Sequence, residues 1–411
     1  MPMRKFFIFF MIVYPVLTFS QESTTVSDTL RKDALNVFME ATDYIKKEIP
    51  YINYVRDIKE ADLYIISTSQ YTGSGGREFT YFLVGQHKFN GMKDTLSFTT
   101  APDETDDMER AKMVKTLKLG LARYVAKTPL AKYMNVTFSQ PMTETVSSDK
   151  WNSWVFNASL NAYISMQSTY KNSFMFGNLS ANRVTEKSKF ESSIGLDFER
   201  DVTEYGDTTY ESSILDKNGY LSYVKSINDH WSAGGTFGIN TSTYSNYDLA
   251  VRFAPGIEYD VFPYSESTRR MLTFQYRIGV EINNYTEETI RFKTEEEVGY
   301  HSVAGLLTLV QKWGSLRVRL TWNNYFFDWS YYRINFNTSA SIRIFKGLNF
   351  NIYGSAAKVN DQISLPSEGA SLEDVLLRRK MQATEYQFYT SFGFSYTFGS
   401  IFNNVVNPRF D

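Results

Sequence analysis

From Trp151 to Phe398 the chain alternates apolar residues with polar or small ones, over stretches of ten residues and more. Leu272, Phe274, Tyr276, Ile278, Val280 and Ile282 share one parity, and Thr273, Gln275, Arg277, Gly279, Glu281 and Asn283 share the other. Leu316, Val318, Leu320 and Trp322 oppose Arg317, Arg319, Thr321 and Asn323 in the same way. Ile334, Phe336, Ala340, Ile342 and Ile344 oppose Arg333, Asn335, Asn337, Ser339, Ser341 and Arg343. Successive side chains of a strand point to opposite faces, so this period means long strands with one greasy face and one wet face. A soluble sandwich turns its apolar face inward and uses strands of about five or six residues. Here the strands are twice as long, and the polar faces carry Arg and Glu that a two-layer core would reject. A transmembrane barrel inverts the arrangement: apolar side chains meet lipid, polar ones line the lumen, and closure satisfies the backbone. The expected fold is therefore an all-β transmembrane barrel.

The alternation and its breaks predict about twelve strands, with ten or fourteen as the alternatives, at 151–167, 172–185, 188–201, 217–228, 231–244, 247–261, 270–285, 298–312, 315–328, 331–345, 348–361 and 384–398. An even count brings both ends of a barrel out on one side. Short connections such as 185–187, 228–230 and Lys346-Gly347 fall on that side, and long ones at 202–216, 286–297 and 362–383 on the other, the last with a helical stretch from Ser371 to Arg379.

Upstream the pattern changes. Arg4 and Lys5, the apolar run Phe6 to Leu17, and the small Thr18 and Ser20 read as a secretory signal over 1–20. Residues 24–138 read as a small α+β periplasmic domain. Ala34 to Met39 is a short apolar run, and an amphipathic stretch follows from Asp43 to Val55, interrupted at Pro50. Strands are expected at Leu63 to Ile66, Arg77 to Phe89 and Met92 to Thr99, with a hairpin turn at Asn90-Gly91. Thr105 caps a helix whose stripe is Ala111, Val114, Leu117, Leu121 and Val125. Residues 139–150 form a polar linker, 151–399 the outer-membrane barrel, and 400–411 a periplasmic tail.

Composition supports this division. The 43 Lys+Arg against 45 Asp+Glu leave no basic domain for nucleic acid. The absence of Cys excludes thiol nucleophiles, Cys-ligated zinc, disulfides and a lipoprotein anchor. Aromatic residues make up 16% of the chain, and many fall on the lipid-facing parity or near strand ends, where interface girdles belong.

Little in the sequence points to catalysis, and no enzyme, cofactor or metal is expected. Among three His, His87 falls on a strand of the α+β domain, His230 in a turn and His301 on a barrel strand. A surface hydrolase needs His and Ser together, yet His301 and Ser302 are neighbours in a strand and point to opposite faces. Gly73 to Arg77 lacks the Gly-Lys-Ser/Thr of a nucleotide loop and reads as a hairpin turn. Asp103, Glu104, Asp106, Asp107 and Glu109 read as partners of a helix N-terminus, and Lys112, Lys115 and Lys118 as a solvated face. The informative residues are those that alternation places in the lumen: Arg252, Arg277, Arg317, Arg319, Arg333 and Arg343, with Glu191, Asp197, Glu199, Glu258, Glu281 and Glu385. Acids dominate the third strand and arginines the ninth and tenth, which predicts a transverse field across a pore.

The stretch Ser391-Phe392-Gly393-Phe394-Ser395-Tyr396-Thr397-Phe398 resembles the C-terminal β-signal of Gram-negative outer-membrane proteins, with Ser391, Gly393, Tyr396 and Phe398 at the matching positions. That resemblance implies folding by the outer-membrane barrel assembly machinery, although this chain runs on past Phe398. The element order of 35–134, with Glu60-Ala61-Asp62 opening a strand and a long final helix, is similar to the N-terminal domain of the Tol-Pal protein TolB and to the periplasmic domain of the curli secretion channel. The whole chain resembles outer-membrane β-barrel proteins that end in Phe-Gly-Ser-Ile-x-Asn-Asn-Val-Val-Asn-Pro-Arg, here 398–409. The partners implied are outer-membrane lipids and the assembly machinery. Two functions fit: a passive channel for small polar or anionic solutes, or a closed barrel anchoring the α+β domain for a periplasmic partner.

Overall fold

The computed structural model describes residues 33–137, 149–345, 347–370, 374 and 379–397. The signal segment 1–20, the linker up to Ser148, most of the helical stretch at 371–379, Phe398 and the tail 400–411 lie outside the described residues.

The first unit is a five-stranded sheet of β1 (Asn36–Phe38), β2 (Asn53–Tyr54), β3 (Leu63–Tyr71), β4 (Arg77–Gly85) and β5 (Lys93–Thr99), in the order β2-β1-β3-β4-β5. Two helices, α1 (Asp43–Glu48) and α2 (Asp106–Val125), complete it. β1 runs parallel to both β2 and β3, and the rest is antiparallel. The stretch after Asp43 is helical only to Glu48. Ile49 caps it ahead of Pro50, whose ring and missing N–H disfavour continuation, and Asn53–Tyr54 then joins the sheet. The strand expected through Phe89 stops at Gly85, so His87 lies in a short 3-10 turn rather than on a strand.

The Thr105 hydroxyl accepts from the Met108 N–H at 3.4 Å, and Asp106, Asp107 and Glu109 occupy the first turn of α2. The buried stripe of the helix is Val114, Leu117, Leu121, Tyr124 and Val125, with Ala111 left exposed. It packs on Leu63, Ile65, Tyr81 and Leu83 of one sheet face. Gly120 sets the approach, because a Cβ there would stand 2.5 Å from the Leu96 side chain.

The opposite face of the same sheet meets the second unit. Arg269 lies 5.0 Å over the Phe82 ring, and Arg343 lies 4.1 Å over Phe38.

The second unit is one twelve-stranded antiparallel meander, the fold expected from the alternation. Its strands are β6 (Trp154–Met166), β7 (Tyr170–Val184), β8 (Ser188–Tyr205), β9 (Thr208–Ser226), β10 (Trp231–Ser242) and β11 (Tyr247–Asp260). β12 (Arg270–Tyr285), β13 (Glu295–Gln311), β14 (Gly314–Tyr325), β15 (Tyr332–Phe345), β16 (Leu348–Val359) and β17 (Tyr386–Tyr396) follow. The long loop expected at 202–216 is instead strand on both sides of a tight turn at Gly206-Asp207, with Gly206 at φ 61. Thr209, Ser213 and Gly219 interrupt the apolar parity of β9 and hide it from a pattern search.

Burial shows how the sheet is bent. Glu281 is 6% exposed and Asn283 is fully buried, while Phe274 and Val280 on the other parity of β12 are 52% and 51% exposed. Ser212, Ser222, Ser232, Asp260 and Thr273 are buried on that same inner face. A flat sheet buries a face only under a second layer, and no second sheet or helical layer covers this one among the described residues. The sheet therefore curls around its polar side, as in a barrel. Among the described residues no ladder joins β6 to β17, and all eleven residues of β17 are exposed, so the described strands leave the curl open at that seam.

Ile278→Arg, on the outer parity at mid-strand, is expected to destabilise the protein folded in lipid vesicles by about 2–4 kcal/mol, and Thr236→Arg on the inner face by far less. Denaturant titration of the two variants in the same vesicles checks this; equal losses would contradict the assignment of faces.

Candidate functional site

The inner face gathers the charged residues that alternation singled out. The ladders put Arg277 beside Gly256 and Ser302, which continues through Asn323 to Arg333. Arg319 falls in a row with Thr273, Leu306 and Asn337, and Arg317 in the next row with Thr308 and Ser339. Arg343 shares this face at the end of β15, against Phe38 of the α+β unit. Glu191, Asp197 and Glu199 are on the inner parity of β8, with Asp197 directly opposite Asp216 of β9. Glu385 stands apart: it precedes β17, its side chain is 86% exposed, and it pairs with Lys358 at 3.5 Å.

The acids of β8 and the arginines of β14 are thus six strands apart in a sheet of twelve. That separation is half of the strands in the sheet, and on the acid side Glu191 pairs with Lys189 at 2.8 Å. The β10–β11 part of the inner face is small instead, with Gly234, Thr236, Ala254 and Gly256. Gly256 gives Arg277 room to lie flat, since a Cβ there would stand 2.6 Å from the arginine Cγ.

Pairing divides the charges into two groups. Toward the ends of the strands remote from the α+β unit they are neutralised. Arg252 lies 3.1 Å from Glu281, whose other oxygen accepts from the Tyr325 hydroxyl at 3.2 Å. At the other end, toward the α+β unit, the Glu258 carboxylate accepts from the Tyr264 hydroxyl and the Gln275 amide. Arg277, Arg317 and Arg319 have no ion pair or hydrogen bond among the described residues, and Arg317 and Arg319 are exposed. A guanidinium stays charged at any pH a protein meets, and an unpaired charge must keep its water. The inner face is therefore wet at the level of these two arginines.

The remote end is covered. The connection after β16 crosses to the connections before β11 and after β12, and Ile363 is buried against Val298 and Tyr325 of the inner face. Arg333 Nε donates to both oxygens of Asp361 at 2.9 Å. Lys380 pairs with Glu287 at 2.8 Å. The Asn246 amide donates to the Glu287 carbonyl at 3.0 Å and to the Ser364 carbonyl at 2.8 Å, while its oxygen accepts from the Glu287 N–H at 2.8 Å. The Ile290 N–H donates to the Leu365 carbonyl at 2.7 Å, next to a bridge between Thr289 and Pro366. Sequence reading did not single out Asn246, Asp361 or Ile363. The one sequence signal is an Asn ending the turn Thr243-Tyr244-Ser245-Asn246, a residue type enriched in the left-handed conformation, and the structure gives Asn246 φ 62.

His301 and Ser302 point to opposite faces, so no His-Ser pair forms. The His301 ring lies on the outer face among Tyr276, Trp322, Phe326 and Trp329, with centroids 5.0 to 6.0 Å away. In the α+β unit, Asp107 pairs with Arg110 and Glu104 with Lys112, so these acids are engaged along their own helix. Ser391 and Gly393 take the inner parity of β17 and Tyr396 the outer, while Phe398 is outside the described residues.

No family model matches the chain, and no curated protein does. Among solved structures, the NanC porin in a rhombohedral crystal form is similar at 11% identity and a TM-score of 0.30, covering 58% of this chain and 98% of that one. A likeness that distant is silent on function.

Asn246→Ala removes the clasp that joins three segments of the cover. Amide exchange at Glu287 and Ile290, whose N–H groups donate to Asn246 and to the Leu365 carbonyl, is expected to accelerate by on the order of tenfold or more, as losing one to three kcal/mol of hydrogen bonding implies. Unchanged exchange at both would show that the cover is held elsewhere.

Proposed function

We propose that the protein is an outer-membrane barrel that passes small polar solutes, anions preferentially, with its α+β unit in the periplasm. The observation that carries this reading is the exposed and unpaired Arg317 and Arg319 pair on the inner face, six strands from the acids of β8. Two fixed cations in a narrow wet lumen raise the local concentration of anions and lower their barrier to passage. The exposed apolar parity of β12 and β14 suits lipid, and the aromatic residues at strand ends suit the interface. In a bilayer this reading requires the free edges of β6 and β17 to meet, because each unpaired backbone group in hydrocarbon costs several kcal/mol. The β-signal-like Ser391, Gly393 and Tyr396 suit insertion by the barrel assembly machinery.

The cover over the remote end favours a second reading, in which the barrel is closed and anchors the α+β unit for a periplasmic partner. Ile363 is 1% exposed, so the closed form is well packed. Conductance of the purified protein in a planar bilayer separates the two. The channel reading predicts current that shifts toward cations in an Arg317→Ala/Arg319→Ala variant and increases in an Asp361→Ala/Lys380→Ala variant with the cover loosened. Silence of the wild type and of both variants would overturn the channel and leave the anchor.

A further inference from the structure

The helical side of the α+β unit carries an apolar groove of about 770 Å³ along the second half of α2. Tyr51, Leu119, Tyr133 and Val136 form its walls, and Lys115 and Lys118 stand on its rim. Leu119 is 67% exposed, Tyr133 65% and Val136 64%, a contiguous cluster of solvent-facing apolar side chains in one groove. The sheet face that meets the barrel strands is the opposite one, so the curled sheet does not cover this groove.

We propose that this groove is filled by the chain's own C-terminal segment, residues 398–411. Three observations select that occupant. The first is composition: Phe398, Ile401, Phe402, Val405, Val406 and Phe410 make six of its fourteen residues large and apolar, against Val26 and Leu30 in 21–32. The linker segment 138–148 has Phe138, Met142 and Val146, and is tied at Asp149 to the start of the barrel.

The second is where the segment leaves the sheet. The Thr397 N–H donates to the Gly347 carbonyl at 2.8 Å, in the turn that follows Arg343, and Arg343 lies against Phe38 of the α+β unit. Phe38 is four residues along the chain from Ala34, which lines the groove. The third is reach: fourteen residues extend about 45 Å at roughly 3.3 Å each, ample to pass around a unit two layers thick. Charge agrees, since Asp411 meets a rim bearing Lys115 and Lys118, while Glu48, 3.6 Å from Lys118, is placed to receive Arg409. Docked this way, the tail fastens the α+β unit to the last strand and keeps it under the barrel, whatever the barrel conducts.

The chain has no native Cys, so cysteine pairs report proximity cleanly. In the purified full-length protein, Leu119→Cys/Val405→Cys is expected to form an intramolecular disulfide on mild oxidation with a yield on the order of tenfold above an Asp103→Cys/Val405→Cys control. An Ile401→Asp/Val405→Asp variant should leave Lys115 and Lys118 more reactive to a water-soluble acylating reagent than in the wild type. A yield no higher than the control would overturn the proposal. So would preferential coupling of Leu119→Cys to Val26→Cys, disulfides formed only between molecules, or lysine reactivity unchanged by the Asp substitutions.

Discussion

A sheet that turns its polar side chains toward its own axis has to keep them hydrated or paired, and every other feature of this protein follows from how that is done. The inner faces of β8 to β15 carry carboxylates and guanidiniums that would be costly in a dry core. Curling the sheet makes room for water around some and brings partners to others. Arg317 and Arg319 are left to solvent, whereas Arg252 and Glu281 are matched to each other and to Tyr325. The two solutions occupy different levels of the curl. One level is wet and charged, and the other is filled by side chains and by the connection that returns from β16.

That connection gives the fold its asymmetry. Asp361 answers Arg333, Lys380 answers Glu287, and Asn246 ties both neighbouring connections to Ser364. At the other end of the strands the α+β unit approaches through two aromatic rings, Phe38 and Phe82, each under an arginine. Stacked arginine on an aromatic face is favourable without needing a counter-ion, which suits a contact at the edge of a charged lumen. The interior is thus bounded at both ends by elements that do not belong to the strands themselves.

The parts of this arrangement set by local chemistry were legible in the sequence. The faces of β12, β14 and β15 follow from period two alone, and so do the positions of Arg277, Arg317, Arg319 and Arg333. The start of α2 follows from Thr105 and the acids after it. What was not legible depends on contacts between residues far apart. Strand β9 was drawn too short because Ser, Thr and Gly dilute its apolar parity, and only pairing with β8 over Ser188 to Tyr205 shows its length. Parity puts Glu385 inside, but the alternation begins before the strand does: β17 starts at Tyr386, and Glu385 pairs with Lys358 with its side chain exposed. The inward fold of Ile363 has no local signature, because its burial depends on Val298 and Tyr325 from strands that precede it by dozens of residues.

The central claim is that alternate residues of one strand meet water on one side and lipid on the other. Single-cysteine substitutions along β14 in the protein reconstituted in lipid vesicles test it most directly, because no native Cys interferes. Arg317→Cys, Arg319→Cys and Thr321→Cys should react with a charged, membrane-impermeant maleimide. Val318→Cys and Leu320→Cys should react only with a lipid-soluble one. Equal reactivity at successive positions, or the opposite alternation, would contradict the account.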